Sequence, residues 1–411
     1  MSEVTIHVPG APLRARIVPP RSKSVANRAL VLAALAGDAD SVRDPGDGDD
    51  TRALLAALRH RPRVLDCGAG ATTFRFLLAW AAAQEGEEHL VTGTPRLLAR
   101  PHSDLVEALR AVGADITPMA EGMLVRGRRL KGGTVRFDSP ISSQYLSALL
   151  LVAPVMKEGL RLHWTGTRLS EPYVHMTLKL LAEYGVFPAM EMDGVSVPPG
   201  GLVPTTLQVP PDWSAAAFWY EVVALSPGAE VELVGLHDDT LQGDREARHL
   251  WATWVESQDT PVGLRLTHRE EVRSWEAPHR GGTTADLRHT PDLFQPLAFT
   301  LAARGDAAIL TGLDNLRVKE TDRLRAVQAA LQTMGRIADA HEGSFTLRAD
   351  AHPLRASNTV LDPEADHRMA MSLAPLAAVL GHITIRDPRV VDKSYPGYWD
   401  DLRTAGFVVE R

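Results

Sequence analysis

The sequence predicts an α/β fold in two domains, and three observations carry that expectation. The chain has 411 residues, more than the roughly 250–300 over which one hydrophobic core grows, so two cores are expected. Six helix-length segments rich in Ala and Leu, opening on small or polar residues, start at Ser22, Gly70, Ser142, Ser214, Asp292 and His367, at spacings of 48, 72, 72, 78 and 75 residues. Between them, TVRFDS, TLQVPP, VELVGL and HITIRD alternate apolar with polar residues, the pattern of strands with one face buried.

The N-terminus, MSEVTIHVPG, alternates like a strand from the start. It has neither the basic-then-apolar pattern of a signal peptide nor the Arg/Ser-rich character of a transit peptide, so a cytoplasmic enzyme is expected. SKSVANRALVLAALAG is apolar nearly all round, the mark of a buried helix. DPGDGDD, Asp44 to Asp50, reads as an acidic turn entering the next helix, TRALLAALRH; it lacks the twelve-residue loop and terminal glutamate of a calcium site. The short first spacing leaves that module about two dozen residues below the others, so it is expected to lose a strand pair or a helix. GATTFRFLLAWAAA and SSQYLSALLLVAPV are the next two buried helices, and a boundary falls near Val209–Pro211. The expected domains are 12–209, and 1–11 with 210–411, three modules each and the N-terminal strand returning to the second. SAAAFWYEVVAL, DLFQPLAFTLAAR and HRMAMSLAPLAAVLG supply the second three helices. RVKETDRLRAV, Arg317 to Val327, reads as a surface helix with Lys319 and Arg323 four residues apart, a repelling pair unless an anion lies between them.

Composition excludes several classes. A net charge of −7 argues against a polybasic nucleic-acid or membrane surface, so a cationic site must be local. No apolar run approaches the ~20 residues of a membrane helix. The one cysteine, Cys67, rules out an internal disulfide and a cysteine-based zinc cluster; it is expected to be a small buried residue. CGAGAT lacks G-x-G-x-x-G, and neither G-x-x-x-x-G-K-[ST] nor H-E-x-x-H occurs, so no nucleotide, cofactor or metal is expected.

Polar residues gather at the starts of the buried helices: Ser22, Lys23, Ser24 and Arg28; Thr72 and Arg75; Ser142, Ser143 and Gln144; His367 and Arg368. Each alone reads as a cap or a solvated group. Helix N-termini carry unpaired N–H groups and a partial positive charge, so several aimed at one place make an anion trap.

PPRSKSVANRALVLAALAG, DGDDTRALLAAL, GTPRLLARP, SSQYLSALLLVAP, SEPY, LQGD, NLRVKETDRL, DHRMAMSLAPLA and DKSYPGYWDDL run through essentially the whole chain. In order and spacing they resemble the motifs of the EPSP synthases, of the enolpyruvyl transferase family. The resemblance implies an α/β fold of two similar domains, each of three βαβαββ-type repeats around buried helices, with the active site in the interdomain cleft. It implies transfer of the enolpyruvyl group of phosphoenolpyruvate to the 5-hydroxyl of shikimate 3-phosphate, through a tetrahedral adduct, by a cytoplasmic monomer without cofactor, in aromatic amino-acid biosynthesis.

Residue by residue, the resemblance assigns shikimate 3-phosphate to Lys23, Ser24, Arg28, Ser142, Ser143, Gln144, Ser170, Tyr173, Asp292, Asn315 and Lys319. It assigns phosphoenolpyruvate to Lys23, Ala71, Thr72, Arg100, Gln144, Arg323, Arg368 and Lys393. Asp292 is the implied base, Glu320 the residue of proton transfer at the methylene carbon, and Lys23, His367 and Lys393 are further catalytic candidates. Taken alone, Tyr173 reads as packing, Ser170 as a turn residue and His367 as a cap. One departure stands before Arg75: the family usually has Asn-Ala-Gly-Thr or Ala-Ala-Gly-Thr where this chain has Ala69, Gly70, Ala71 and Thr72. The methyl group of Ala71 is expected to crowd the phosphoenolpyruvate site and to reduce sensitivity to glyphosate, which competes for that site in the family; the alternative is that Gly70 lets the turn shift and tucks the methyl away. Two other functions remain open on this scaffold: UDP-N-acetylglucosamine enolpyruvyl transfer, and silent binding of small anions.

Overall fold

The first helical segment is buried from Val25 to Ala33 in the computed structural model, which describes residues 2–270, 274–278, 281–356 and 359–411. All six repeated segments are helical: α1 (Lys23–Leu35), α2 (Ala71–Ala82), α3 (Ser143–Val152), α4 (Trp213–Leu225), α5 (Phe294–Arg304) and α6 (His367–Leu373). Every residue of α4 and α6 is buried, as expected of helices without a polar face. After α6 the chain tightens into a 3₁₀ turn at Ala374–Leu376, where Pro375 cannot donate the hydrogen bond that an α-helix needs.

The chain forms two units, Arg21–Val209 and Met1–Pro20 with Pro210–Arg411; they are called here the smaller and the larger unit. In the smaller unit, one sheet runs Val64–Asp66, Glu88–Thr92, Gly122–Arg126, Asp115–Met119 in spatial order, and another Ala189–Glu191, Gly194–Val197, Leu160–Thr165, Gly133–Asp138. Val42–Arg43 and Leu207–Gln208 pair in parallel as a two-stranded sheet. Both α1 and the following helix, Asp49–His60, are present, so the shortening of the first module falls on strands.

The larger unit has two sheets of four: Val255–Thr260, Gly263–His268, Glu230–Val234, Arg14–Ile17, and Thr284–Asp286, Ala308–Thr311, Ser344–Leu347, Ala338–His341. All four four-stranded sheets join one parallel pair to two antiparallel pairs. In the sixth sheet Glu3–His7 lies between His382–Arg386 and Val408–Glu410, antiparallel to both. The N-terminal strand thus returns to the larger unit.

The expected boundary after residue 11 is corrected. Arg14–Ile17 pairs in parallel with Glu230–Val234, and Leu13 and Ile17 are buried in the same core as Val231 and Leu233. Residues 12–20 therefore belong to the larger unit. The other division falls between Val209 and Pro210.

Candidate active site

In the smaller unit the opening turns of the buried helices hold three cations, Lys23, Arg28 and Arg75, and Arg100 lies between the helices Pro95–Leu98 and Ser103–Ala111. Lys23 opens α1, and its Nζ lies 3.0 Å from Oδ2 of Asp50, a buried carboxylate in the first turn of Asp49–His60. Arg28, one turn along α1, is 1% exposed. Its Nε donates to Thr177 Oγ1 at 2.8 Å, one terminal nitrogen to the Ser24 carbonyl at 2.9 Å and the other to Ser147 Oγ at 3.0 Å. The guanidinium also lies over the rings of Phe76 (5.3 Å) and Tyr173 (5.7 Å), so Tyr173 does more than pack. Burial lowers the Arg28 pKa to about 10, because its bonds run to hydroxyls, a carbonyl and ring faces and not to a carboxylate.

Arg75 of α2 is buried against the start of α3. It donates to Gln144 Oε1 at 2.5 Å, to Ser142 Oγ at 3.4 Å and to the Pro101 carbonyl at 3.3 Å, over the Tyr145 ring. Ser142 is the N-cap of α3 and accepts from the Gln144 amide, and Ser143 is buried beside it. Arg100 and Arg75 both act on His102, which burial, first, and then their charges hold at a pKa of about 4. Ser170, the N-cap of Glu171–Glu183, is buried with φ 55°, a conformation unusual for serine. Ser22 Oγ is buried without a hydrogen-bond partner among the described residues.

Ala71 and Thr72 open α2, preceded by Gly70 at φ −81° and ψ 94°, which any residue adopts. What requires glycine there is space: a Cβ on Gly70 would sit 2.7 Å from Asp50 Oδ1 and 3.0 Å from Thr73 Oγ1. The expected alternative for Ala71, a turn shifted by the wider backbone range of Gly70, loses its premise.

In the larger unit Arg323 is 2% exposed and central to a network of acids. Its Nε donates to Asp366 Oδ2 at 2.7 Å; its terminal nitrogens reach Asp292 Oδ1 at 2.9 Å and Glu320 Oε2 at 3.1 Å. Arg368 donates to Asp292 Oδ2 at 3.1 Å, and Lys393 Nζ to Glu320 Oε1 at 2.6 Å. Asp366 also caps α6 through the Arg368 amide at 2.8 Å. His367 is 2% exposed, its Nδ1 3.7 Å from Asp366. Asn315 is buried in the 3₁₀ turn Asp314–Val318.

Burial alone would raise the Asp292 pKa; Arg368, Lys319 and Arg323 outweigh it and hold the carboxyl well below the usual range. Arg323 is held firmly charged: burial opposes its charge, and Asp366, Glu320 and Asp292 prevail. Asp244 is raised to about 7 by burial and by the nearby Asp292 charge, with Arg368 and a hydrogen bond from Ser214 offsetting part of the rise.

The surface helix expected over Arg317–Val327 is corrected. Helix starts only at Arg323, where Asp322 caps it by accepting from the Arg325 amide, and Lys319 ends the preceding 3₁₀ turn. The two cations are therefore not one helical turn apart, and the anions against Arg323 are three carboxylates of the chain itself.

Sequence reasoning passed over Asp50, Asp366, Asp244, Ser147 and Thr177. Asp50 was hidden in an acidic run that resembles a solvated turn, although two carboxylates at a helix start close to Ser-Lys-Ser were a usable signal. Asp366 stood inside DHRMAM in the shadow of His367.

With this geometry in view, similarity decides the family. The chain matches the EPSP synthase (3-phosphoshikimate 1-carboxyvinyltransferase) family over residues 8–62 and 60–402. The chain belongs to the EPSP synthase family. It is 37% identical over 409 residues to the 3-phosphoshikimate 1-carboxyvinyltransferase of Bacteroides fragilis (97% of each chain covered), and 30% identical to that of Methanospirillum hungatei (93% of this chain, 94% of the other). The fold is similar to that of an EPSP synthase from Acinetobacter baumannii, with a TM-score of 0.76 over the whole of both chains at 24% identity.

Proposed function

We propose that this member of the EPSP synthase family transfers the enolpyruvyl group of phosphoenolpyruvate to the 5-hydroxyl of shikimate 3-phosphate, releasing phosphate, in aromatic amino-acid biosynthesis. The observation that carries the reading, beside family membership, is the larger unit's network, in which Asp292 and Glu320 are each shared between two cations. Each substrate bears a phosphate and a carboxylate, so their binding gathers charge that only cations hold. Arginine supplies planar two-point grips and lysine a point charge.

In this reading Arg323, Arg368, Lys393 and Arg100 take phosphoenolpyruvate with Lys23, Thr72 and Gln144. Lys319, Asn315, Arg28, Ser24, Ser142, Ser143, Ser170 and Tyr173 take shikimate 3-phosphate. As Arg323 and Arg368 turn to substrate, Asp292 loses the partners that hold its proton affinity down, and a strongly stabilised carboxylate becomes a usable base. Asp292 then takes the proton of the attacking hydroxyl, while the Lys393 ammonium, which donates to Glu320 at 2.6 Å, passes a proton through the Glu320 carboxylate to the methylene carbon. The oxygen of shikimate 3-phosphate bonds to the central carbon of phosphoenolpyruvate. The adduct then loses its phosphate, and the Glu320 carboxylate takes a methyl proton and returns it toward Lys393, restoring the enol ether.

The test is phosphate release with both substrates, together with identification of the enol-ether product by NMR. Release with UDP-N-acetylglucosamine in place of shikimate 3-phosphate would instead assign the other transferase activity, and tight binding without release would assign a silent binding protein.

A further inference from the structure

Outside the network above, one mixed cluster of potential metal ligands stands among the described residues: His163, Glu191 and Asp193, with one ligand atom from each within 4.8 Å of the others. We propose that His163, Glu191 and Asp193 form a surface binding site for a divalent transition metal ion such as Zn²⁺, separate from the reaction.

The site is built by a hairpin. His163 lies in Leu160–Thr165, paired opposite Gly194 of Gly194–Val197, and Glu191 ends the edge strand Ala189–Glu191. Met192 and Asp193 form the tight turn, pinned by the Trp164 amide donating to the Asp193 carbonyl at 3.1 Å. Glycine at 194 allows the approach: a Cβ there would fall 2.1 Å from the Leu162 carbonyl oxygen and 2.9 Å from the His163 Cα.

The imidazole, 13% exposed, thus sits between two carboxylates, with Nδ1 2.9 Å from Asp193 Oδ1 and Nε2 3.8 Å from Glu191 Oε2. The first distance is a hydrogen bond, and it draws the Asp193 pKa down. The second is too long for one. An imidazole binds one ion through one nitrogen, and with one ligand atom taken from each residue the three atoms lie within 4.8 Å of one another. Ligands at ~2.0–2.2 Å around a tetrahedral ion stand on the order of 3.4 Å apart, so the carboxylates, of which that of Glu191 is one-third exposed on its edge strand, close in by up to about 1.4 Å on the shared nitrogen. A neutral imidazole and two carboxylates suit zinc and its neighbours. Arg136, paired opposite His163 on the next strand, also acts on Asp193, and the two carboxylates outweigh its single charge. Waters complete the coordination. Motif spacing cannot reveal this site, because a strand pairing makes it.

The test is titration of the metal-stripped full chain with ZnSO₄ by calorimetry at pH 7.5, without substrates, and with Co²⁺ followed by its visible absorption. One ion per chain is expected in the micromolar range. His163→Gln and Glu191→Gln should each weaken it at least tenfold. The pair His352 and Asp350 (2.8 Å) provides a control: His352→Gln should leave binding unchanged. Each variant's far-ultraviolet dichroism and melting temperature without metal confirm that it is folded. No binding up to 1 mM Zn²⁺, or equal binding by wild type and the folded His163→Gln variant, overturns the proposal.

Discussion

Gly70→Ala tests how the smaller unit holds Lys23. The backbone at Gly70 suits alanine, so the whole effect comes from the added methyl group, 2.7 Å from Asp50 Oδ1 and 3.0 Å from Asp50 Cγ and Thr73 Oγ1. Restoring ordinary contact requires the carboxylate to move by about 0.7 Å or more, toward a usual carbon–oxygen separation of ~3.4 Å. Asp50 has little room: it is 4% exposed, its carbonyl accepts from Thr73 Oγ1 at 2.8 Å, and its Oδ2 holds Lys23 at 3.0 Å. Overpacking of this kind costs about 1–3 kcal/mol. For a domain of this size that is a fall in melting temperature of roughly 2–4 °C per kcal/mol, or about 2–12 °C. Displacement of Lys23 should add a rise in the KM for phosphoenolpyruvate. Calorimetric melting and steady-state kinetics measure both. Gly68→Ala separates space from strain, since Gly68 has φ 53° and nothing within 4 Å of an added Cβ; it should cost about 1 kcal/mol through backbone conformation and leave the KM alone. A Gly70→Ala variant with wild-type melting and KM would refute the argument that Asp50 needs this space.

Asp292→Asn keeps shape but removes the proposed base, and kcat should fall roughly 10²–10⁴-fold while shikimate 3-phosphate affinity, measured by calorimetry, changes far less; near-wild-type turnover removes Asp292 from the chemistry. Ala71→Gly should lower the inhibition constant for glyphosate about tenfold or more if the methyl obstructs the phosphoenolpyruvate site, as 1–3 kcal/mol of overpacking implies, and equal constants mean that it does not. Glu221 of α4 is fully buried, neither carboxyl oxygen has a hydrogen-bond partner among the described residues, and burial raises its pKa well above the usual value. Above the unfolded pKa of about 4.3 the folded state keeps a proton that the unfolded state has lost, so this group removes stability as pH rises, by about 1.4 kcal/mol per unit until the folded pKa is passed. Glu221→Gln should therefore gain on wild type in chemical denaturation between pH 5 and pH 8, and a difference independent of pH would count against an acid kept neutral.

The six buried helices were legible because a helix without a polar face has one home, inside a unit, and that pattern survives in a single sequence. The strand Arg14–Ile17 was not, because its partner Glu230–Val234 lies some two hundred residues away and four alternating residues do not say which sheet they join. The cations of the candidate site stand inside the quoted motifs, but the partners they take in the structure could not be read there. An aspartate at a helix start looks like a cap, and Asp366 is one, yet the same side chain also grips Arg323. Whether Arg28 meets a carboxylate or only hydroxyls depends on where Ser147 and Thr177 fall on two other helices, which no local pattern encodes.

One of the two neighbours of the strand Glu3–His7, Val408–Glu410, is made some four hundred residues after it. Arg21–Val209 emerges whole long before that, and at ~5–20 residues per second the ribosome needs roughly 10–40 s more to reach Val408–Glu410. The smaller unit can thus complete its core while the first strand, with Val4 and Ile6 destined for burial, still has bare edges. In the larger unit the Asp212 amide donates to the Pro20 carbonyl at 2.9 Å, so its chain resumes beside the point where it left, and the closure entropy of bringing Glu3–His7 to Val408–Glu410 is smaller than for a free loop of the same length. Order of manufacture and order of assembly are therefore opposed at this strand, whose bare edges are open to edge-to-edge pairing until Val408–Glu410 has emerged.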